Sequence, residues 1–183
     1  MVGAGGLAPH LVQAHLAARP SLRKIRVWNR TQERAEALIE RLEVPGVDVG
    51  VARDLDSAVA RADIISCATM AQEPLVKGEL LKPGAHLDLV GAYRPDMREA
   101  DDAAMARGTV FVDCREGMKG NGELSRPVDR GVITWGDVKA DFYELAQGDR
   151  PGRQTEEEIT VFKNVGGGHL DLFAAIALKH RLA

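Results

Sequence analysis

The stretch "VGAGGLAPHL", residues 2–11, sets Gly3, Gly5 and Ala8 in a G-x-G-x-x-G/A spacing. Each small residue has a task in a turn that joins a buried strand to a helix and takes a pyrophosphate. Gly3 permits the tight turn, Gly5 lets the backbone approach the phosphates with no Cβ in the way, and Ala8 keeps the helix close to the sheet. Pro9 falls in the first helical turn, where its missing N–H costs little. The free N–H groups around Gly6 and Leu7, with the positive end of the helix dipole, are set to hold phosphate oxygens. A glycine turn with no ligand can show the same letters, so the motif gains weight only from its surroundings. Ahead of it stand just Met1 and Val2, where a buried strand is expected.

Working outward, β-branched runs alternate with helical stretches. "KIRVWN" (24–29), "VDVGVA" (47–52), "DIISCAT" (63–69), "HLDLVGA" (86–92) and "TVFVDC" (109–114) read as strands. "TQERAEALIERL" (31–42) reads as a helix, with Ala35, Leu38, Ile39 and Leu42 at helical spacing. A short helix over 55–62, capped by Asp54 or Asp56, and a helix over 97–108, ended by Gly108, follow. Nearly continuous apolar strands separated by helices indicate a parallel sheet covered on both faces. The expected fold class is therefore α/β, a doubly wound, Rossmann-type sheet over residues 1–147. Residues 148–183 read as a linker, "GDRPGRQ", and C-terminal helices opened by a capping box at Thr155 and Glu158. Gly166, Gly167 and Gly168 split or kink that helical run.

The residue that grips the adenosine ribose belongs about 20 residues beyond the glycine turn, at the end of the second strand. There the sequence reads "WNRT". Asn29 stands where NAD-specific proteins place a carboxylate that would repel a 2′-phosphate. Arg30 can pair with that phosphate and stack on adenine, and the Thr31 hydroxyl can add a hydrogen bond. NADPH is therefore the expected cofactor, ahead of NADH. Thr69 and Met70, then Val90 and Gly91, close two strands at the carboxyl edge of the sheet. They are the expected neighbours of the cofactor's ribose and nicotinamide.

Composition bounds the rest. A chain of 183 residues suits one full domain. Hydrophobic residues at 45% and charged residues at 28% are a globular balance. The net charge of -3 offers no basic field to nucleic acid or an anionic membrane, and 4% aromatics are too few for a base-stacking surface. No segment approaches the roughly 20 apolar residues of a membrane span, and no signal peptide is expected. A cytoplasmic location is expected, with Cys67 and Cys114 as reduced core thiols. The five histidines make no metal spacing, so no metal is expected. Asp96, Glu99, Asp101 and Asp102 read as capping charges at the start of the 97–108 helix. Asp171 sits in an apolar helix, either facing the cleft or capping a neighbouring backbone.

Several stretches together resemble the ornithine cyclodeaminase/mu-crystallin family: "VGAGGLAPHL", "IRVWNRTQERAEAL", "ADIISCAT", "EPLVKGELLKPGAHLDLVGAYRPDMREAD" and "EITVFKNVGGGHLDL". The resemblance covers nearly the whole chain. It implies a nucleotide domain paired with a second domain built mainly from a preceding segment, to which the C-terminal helices return. That domain carries the dimer interface and the Arg and Lys residues that hold the substrate carboxylate. On this comparison the chain is a fragment lacking its N-terminal segment, and made alone it is expected to aggregate or be inactive. Cyclodeaminases carry an Asp at the position of Tyr93, a departure that puts cyclodeaminase activity in doubt. The stretch "VGAYRPDMRE" looks more like Δ1-pyrroline-2-carboxylate and other ketimine reductases. The resemblance therefore implies NADPH-dependent reduction of a cyclic imine carboxylate in proline metabolism, giving L-proline or pipecolate, in a homodimer. Its alternatives are an ornithine cyclodeaminase and a non-catalytic, mu-crystallin-like NADPH-binding protein. Tyr93 and Asp171 are the catalytic candidates.

Overall fold

The computed structural model describes residues 1–182. The apolar runs form short strands: β1 (Lys24–Val27), β2 (Asp48–Val51), β3 (Ile64–Cys67), β4 (His86–Leu89), β5 (Thr109–Val112), β6 (Val138–Ala140) and β7 (Thr160–Lys163). Between them run α1 (Ala8–Ala18), α2 (Gln32–Ile39), α3 (Leu55–Arg61), α4 (Asp102–Arg107), α5 (Gly122–Asp129) and α6 (Phe142–Gln147), with α7 (Gly168–Leu182) at the end. Local chemistry sets several of these boundaries. Asp54 starts α3 by accepting the Ser57 N–H at 2.8 Å, and Asp141 and Glu144 close a capping box on α6.

All strand pairs are parallel. β1 pairs with β2, and β3-β4-β7-β5-β6 form the larger array. Val2 joins the two, bridging Trp28 just beyond β1 on one side and Cys67 of β3 on the other. Its N–H donates to the Ser66 carbonyl at 2.8 Å and its carbonyl accepts from Ala68 N–H at 2.9 Å. Gly3 N–H donates to the Trp28 carbonyl at 2.8 Å. From Val2 the chain winds outward through β1 and β2, then crosses back to β3 and winds the other way. Right-handed crossovers in opposite directions put the connecting helices on opposite faces. This is a doubly wound sheet with its switch point at Val2.

Two apolar cores follow from that winding. A small one joins Ala8, Val27, Ala35 and Leu38. A larger one runs from Val2, Val59 and Ile65 through Leu87, Leu89, Val110, Val112 and Val161. Each fully buried aliphatic side chain contributes about 1.5–3 kcal/mol. On the amino side of Val2 the edges of β1 and β3 face each other unpaired. The gap is a cavity of about 610 Å³ lined by Val12, Leu16, Ile25, Leu55, Val59 and Ile65 among others. The Met1 amine donates to the Arg26 carbonyl at 2.8 Å, and burial holds its pKa below the usual value.

Three expectations are corrected. The helical run expected from Thr155 is instead a turn followed by β7, which sits inside the sheet between β4 and β5. Glu158 N–H does donate to Thr155 Oγ1 at 3.2 Å, as a capping box requires, but the bond closes a turn. Pairing on both edges, with Thr160, Val161 and Lys163 buried, outweighs that local signal. The helix expected over 97–108 begins only at Asp102, because Met97–Ala100 are buried and Ala100 bridges Val76. Past the glycines the chain forms one helix, α7, that starts at Gly168.

Candidate functional site

The glycine turn lies at the switch point, where ligands of open α/β sheets bind. Gly3 has φ 100°, and a Cβ there would stand 2.6 Å from the Ala68 carbonyl oxygen, so the turn tolerates no side chain. Gly5 and Gly6 are exposed, and a Cβ on either would meet nothing within 4 Å. The amides of Gly5, Gly6 and Leu7 have no protein acceptor among the described residues. α1 also carries no side-chain cap at its start. An open cradle of free donors at the positive end of an 11-residue helix fits a diphosphate.

Asn29 does more than leave out a negative charge. Its Oδ1 accepts the Ala4 N–H at 3.1 Å and its Nδ2 donates to the Thr31 carbonyl at 2.8 Å. The side chain thus stitches the end of β1 to the glycine turn. Arg30 and Thr31 beside it are exposed. Thr31 is the N-cap of α2 but makes no side-chain cap bond, which leaves its hydroxyl free for a ligand.

The other side of the cleft is built by the ends of β3 and β4. Thr69 N–H and Oγ1–H donate to Glu99 Oε1 at 2.6 and 2.8 Å. Gly91 N–H donates to Glu99 Oε2 at 2.7 Å. Met70 is exposed, and Val90 N–H donates to the Cys67 carbonyl at 2.9 Å. Beneath this edge, Lys163 of β7 is fully buried and its Nζ donates to the Leu89 carbonyl at 3.2 Å. Burial holds its ammonium below the usual lysine range, while Glu123 and Glu99 pull the other way.

Of the two catalytic candidates, Tyr93 is exposed just past Gly91 and Asp171 is exposed on α7. The four carboxylates read as caps have separate duties. Asp101 caps α4 through the Ala104 N–H at 3.0 Å. Asp96 pairs with Arg94 at 2.8 Å, and Asp102 with Arg98 at 2.6 Å. Glu99 is no cap; it is a buried brace. Sequence reasoning also passed over Asn121, Glu123, Asp113 and Lys163. Asp113, at the end of β5, accepts the Val165 and Gly166 N–H groups at 2.7 and 3.2 Å and so anchors the loop before α7. One signal was available: "ITVFKNV" sets a lone lysine in an apolar β-branched run, as a buried, partnered charge would be.

A doubly wound parallel sheet with this glycine turn at its switch point defines a Rossmann-type α/β domain. The profile of the ornithine cyclodeaminase/mu-crystallin family matches residues 1–182, and the chain belongs to that family. Protein SAR DEFICIENT 4 of Arabidopsis thaliana is 50% identical over 179 residues, which cover 96% of this chain and 55% of that protein. The Δ1-pyrroline-2-carboxylate reductase of Paracoccus denitrificans (strain Pd 1222) is 48% identical over 176 residues, covering 96% and 56%. The structure of Thermococcus litoralis Δ1-pyrroline-2-carboxylate reductase in complex with NADH and L-proline matches with a TM-score of 0.88 at 30% identity, over 98% of this chain and 57% of that one. The chain spans about half the length of the curated relatives it matches.

Proposed function

We propose that this chain is the coenzyme-binding part of an NADPH-dependent reductase of cyclic imine carboxylates, taking Δ1-pyrroline-2-carboxylate to L-proline or piperideine-2-carboxylate to pipecolate. The observation that carries the reading is the side-chain-free cradle of Gly5, Gly6 and Leu7 amides at the switch point. The 48% identity to the Paracoccus reductase supports the reaction class.

When bound, the reduced coenzyme supplies hydride to the imine carbon. The chain's own residues bind and orient. The amides of Gly5, Gly6 and Leu7 hold the diphosphate, and Arg30 and Thr31 take the 2′-phosphate. Thr69, Met70, Val90 and Gly91 line the nicotinamide end, and Tyr93, just beyond, orients the imine. The reading assigns NADPH on Arg30 and the missing carboxylate, although the Thermococcus relative holds NADH.

α7 exposes Leu172, Phe173, Ile176, Leu178 and Leu182 and buries no residue. In this reading the nucleotide-binding part takes in residues 1–147 together with the interior strand β7, Thr160–Lys163. α7 leads on to a further segment that supplies the carboxylate ligands and the interface of a cytoplasmic homodimer.

Coenzyme oxidation with Δ1-pyrroline-2-carboxylate, set beside ammonia release from ornithine, tests the reading. Oxidation without ammonia release supports it, and ammonia release from ornithine would replace it with a cyclodeaminase. A second reading is coenzyme binding without turnover. Tight NADPH binding with neither activity is its signature.

A further inference from the structure

Glu99 is 0% exposed. A carboxylate stripped of water is costly unless donors surround it, and here they converge from two strand ends. The last rung between β3 and β4 is the Val90 N–H to Cys67 carbonyl bond, 2.9 Å. Beyond it the Glu99 carboxylate takes over, bonding Thr69 twice on the β3 side and Gly91 on the β4 side, with Ala92 N–H at 3.4 Å. The two loops are in close contact. A Cβ on Gly91 would collide with the Thr69 carbonyl and stand 2.6 Å from Glu99 Oε1.

The brace is itself held from behind. Glu99 N–H and Ala100 N–H donate to the two oxygens of Glu123 at 2.7 and 2.9 Å. The Glu99 carbonyl accepts from Leu75 and Val76 N–H, both at 2.9 Å. Asn121 donates to the Ala92 carbonyl at 2.6 Å and accepts the Glu123 N–H at 2.9 Å. A continuous chain of hydrogen bonds therefore runs from the start of α5 to the lip of the cleft.

We propose that Glu99 is a positioning residue for the nicotinamide end of the coenzyme, fixing the separation of the Thr69 and Gly91 loops while Glu123 and Asn121 hold it in place. The inference rests on the coenzyme cleft described above. It also divides the ligand in two. The Glu99 carboxylate bonds the loops assigned to the nicotinamide end, while the free amides of Gly5, Gly6 and Leu7 make no bond to it and Arg30 follows β1 on the other side of the switch point. Damage at Glu99 falls on one half of the coenzyme and spares the other.

The test compares each reduced coenzyme with its nicotinamide-free fragment, NADH with ADP-ribose and NADPH with 2′-phospho-ADP-ribose, by titration. The folded state of each variant is checked by circular dichroism. Glu99→Gln puts an NH2 group against donors that need an acceptor. Its dissociation constant for the whole coenzyme rises about tenfold, while that for the fragment stays within about twofold. Equal loss for both ligands marks a merely structural role and overturns the proposal, as does no loss for either. A folded wild-type chain that takes neither coenzyme nor fragment overturns the cleft itself, a separate result. If Glu99→Gln does not fold, Thr69→Val and Thr69→Ser carry the test. The valine, lacking the hydroxyl donor, weakens the whole coenzyme about threefold and the serine restores it; equal binding by the two overturns the proposal.

Discussion

Arg30 stands exposed one residue past Asn29, and in the proposed function coenzyme choice turns on its guanidinium. Arg30→Ala is expected to weaken NADPH about tenfold and to leave NADH unchanged, measured by parallel titrations. An equal loss for both coenzymes would remove the 2′-phosphate from its reach. Gly3 offers a harder constraint. Gly3→Ala forces a side chain into φ 100° and toward the Ala68 carbonyl 2.6 Å away. It is expected to cost about 1–3 kcal/mol in urea unfolding and to abolish coenzyme binding. The glycine turn was legible from the sequence because the spacing of its small residues is local, although the wall that Gly3 faces, the Ala68 carbonyl, comes from far along the chain. Asn29 was only half legible. Its lack of charge can be read from one letter, but its bond to Ala4 joins residues 25 apart and exists only once β1 lies beside the turn.

At the scale of elements, the start of α5 carries a titrating brace. Burial pushes the Glu123 carboxyl up to about 7 from 4.5, against two backbone N–H donors and the charge of Lys163. An acid whose native pKa is raised keeps its proton in the folded chain where the unfolded chain has lost it. Stability therefore falls as pH rises from 4.5 to about 7 and stays low above; the loss is about 3 kcal/mol. Urea midpoints taken across that range should fall in the wild type, and Glu123→Gln should flatten the slope. A wild type flat over the same window would contradict the burial argument. β7 marks where local reading fails. A capping-box pattern at Thr155 and Glu158 stands just ahead of its β-branched residues, and the bonds that decide in favour of a strand come from β4 and β5, some 50 to 75 residues upstream. The brace at Glu99 was hidden for the same reason, since the carboxylates around it do cap and pair as their positions suggest.

At the scale of the whole molecule, α7 touches the rest of the domain mainly through its first turn, where His169 packs against Tyr143 and approaches Asp113 at 3.9 Å. α7 contributes no buried residue, whereas β7 is an interior strand with partners on both edges. Removal of residues 171–183 is expected to cost less than about 1 kcal/mol in urea unfolding, and it should reduce self-association in sedimentation velocity, because the exposed apolar part of the helix goes with it. A large loss of stability would show that α7 packs on the sheet. Among the described residues no helix is long and apolar enough to cross a membrane, so the apolar surface of α7 is too short to be read as a span.

The sequence by itself determined the class of fold, the glycine turn and the alternation of strand and helix. Those features are written in short-range patterns, in the spacing of small residues and the period of apolar ones. Only the tertiary structure decided that residues 160–163 are a central strand, that Asn29 fastens the turn and that Glu99 braces two strand ends. Each of these depends on backbone donors and acceptors brought together from distant parts of the chain, and a buried polar group finds its partners by position in space rather than in order.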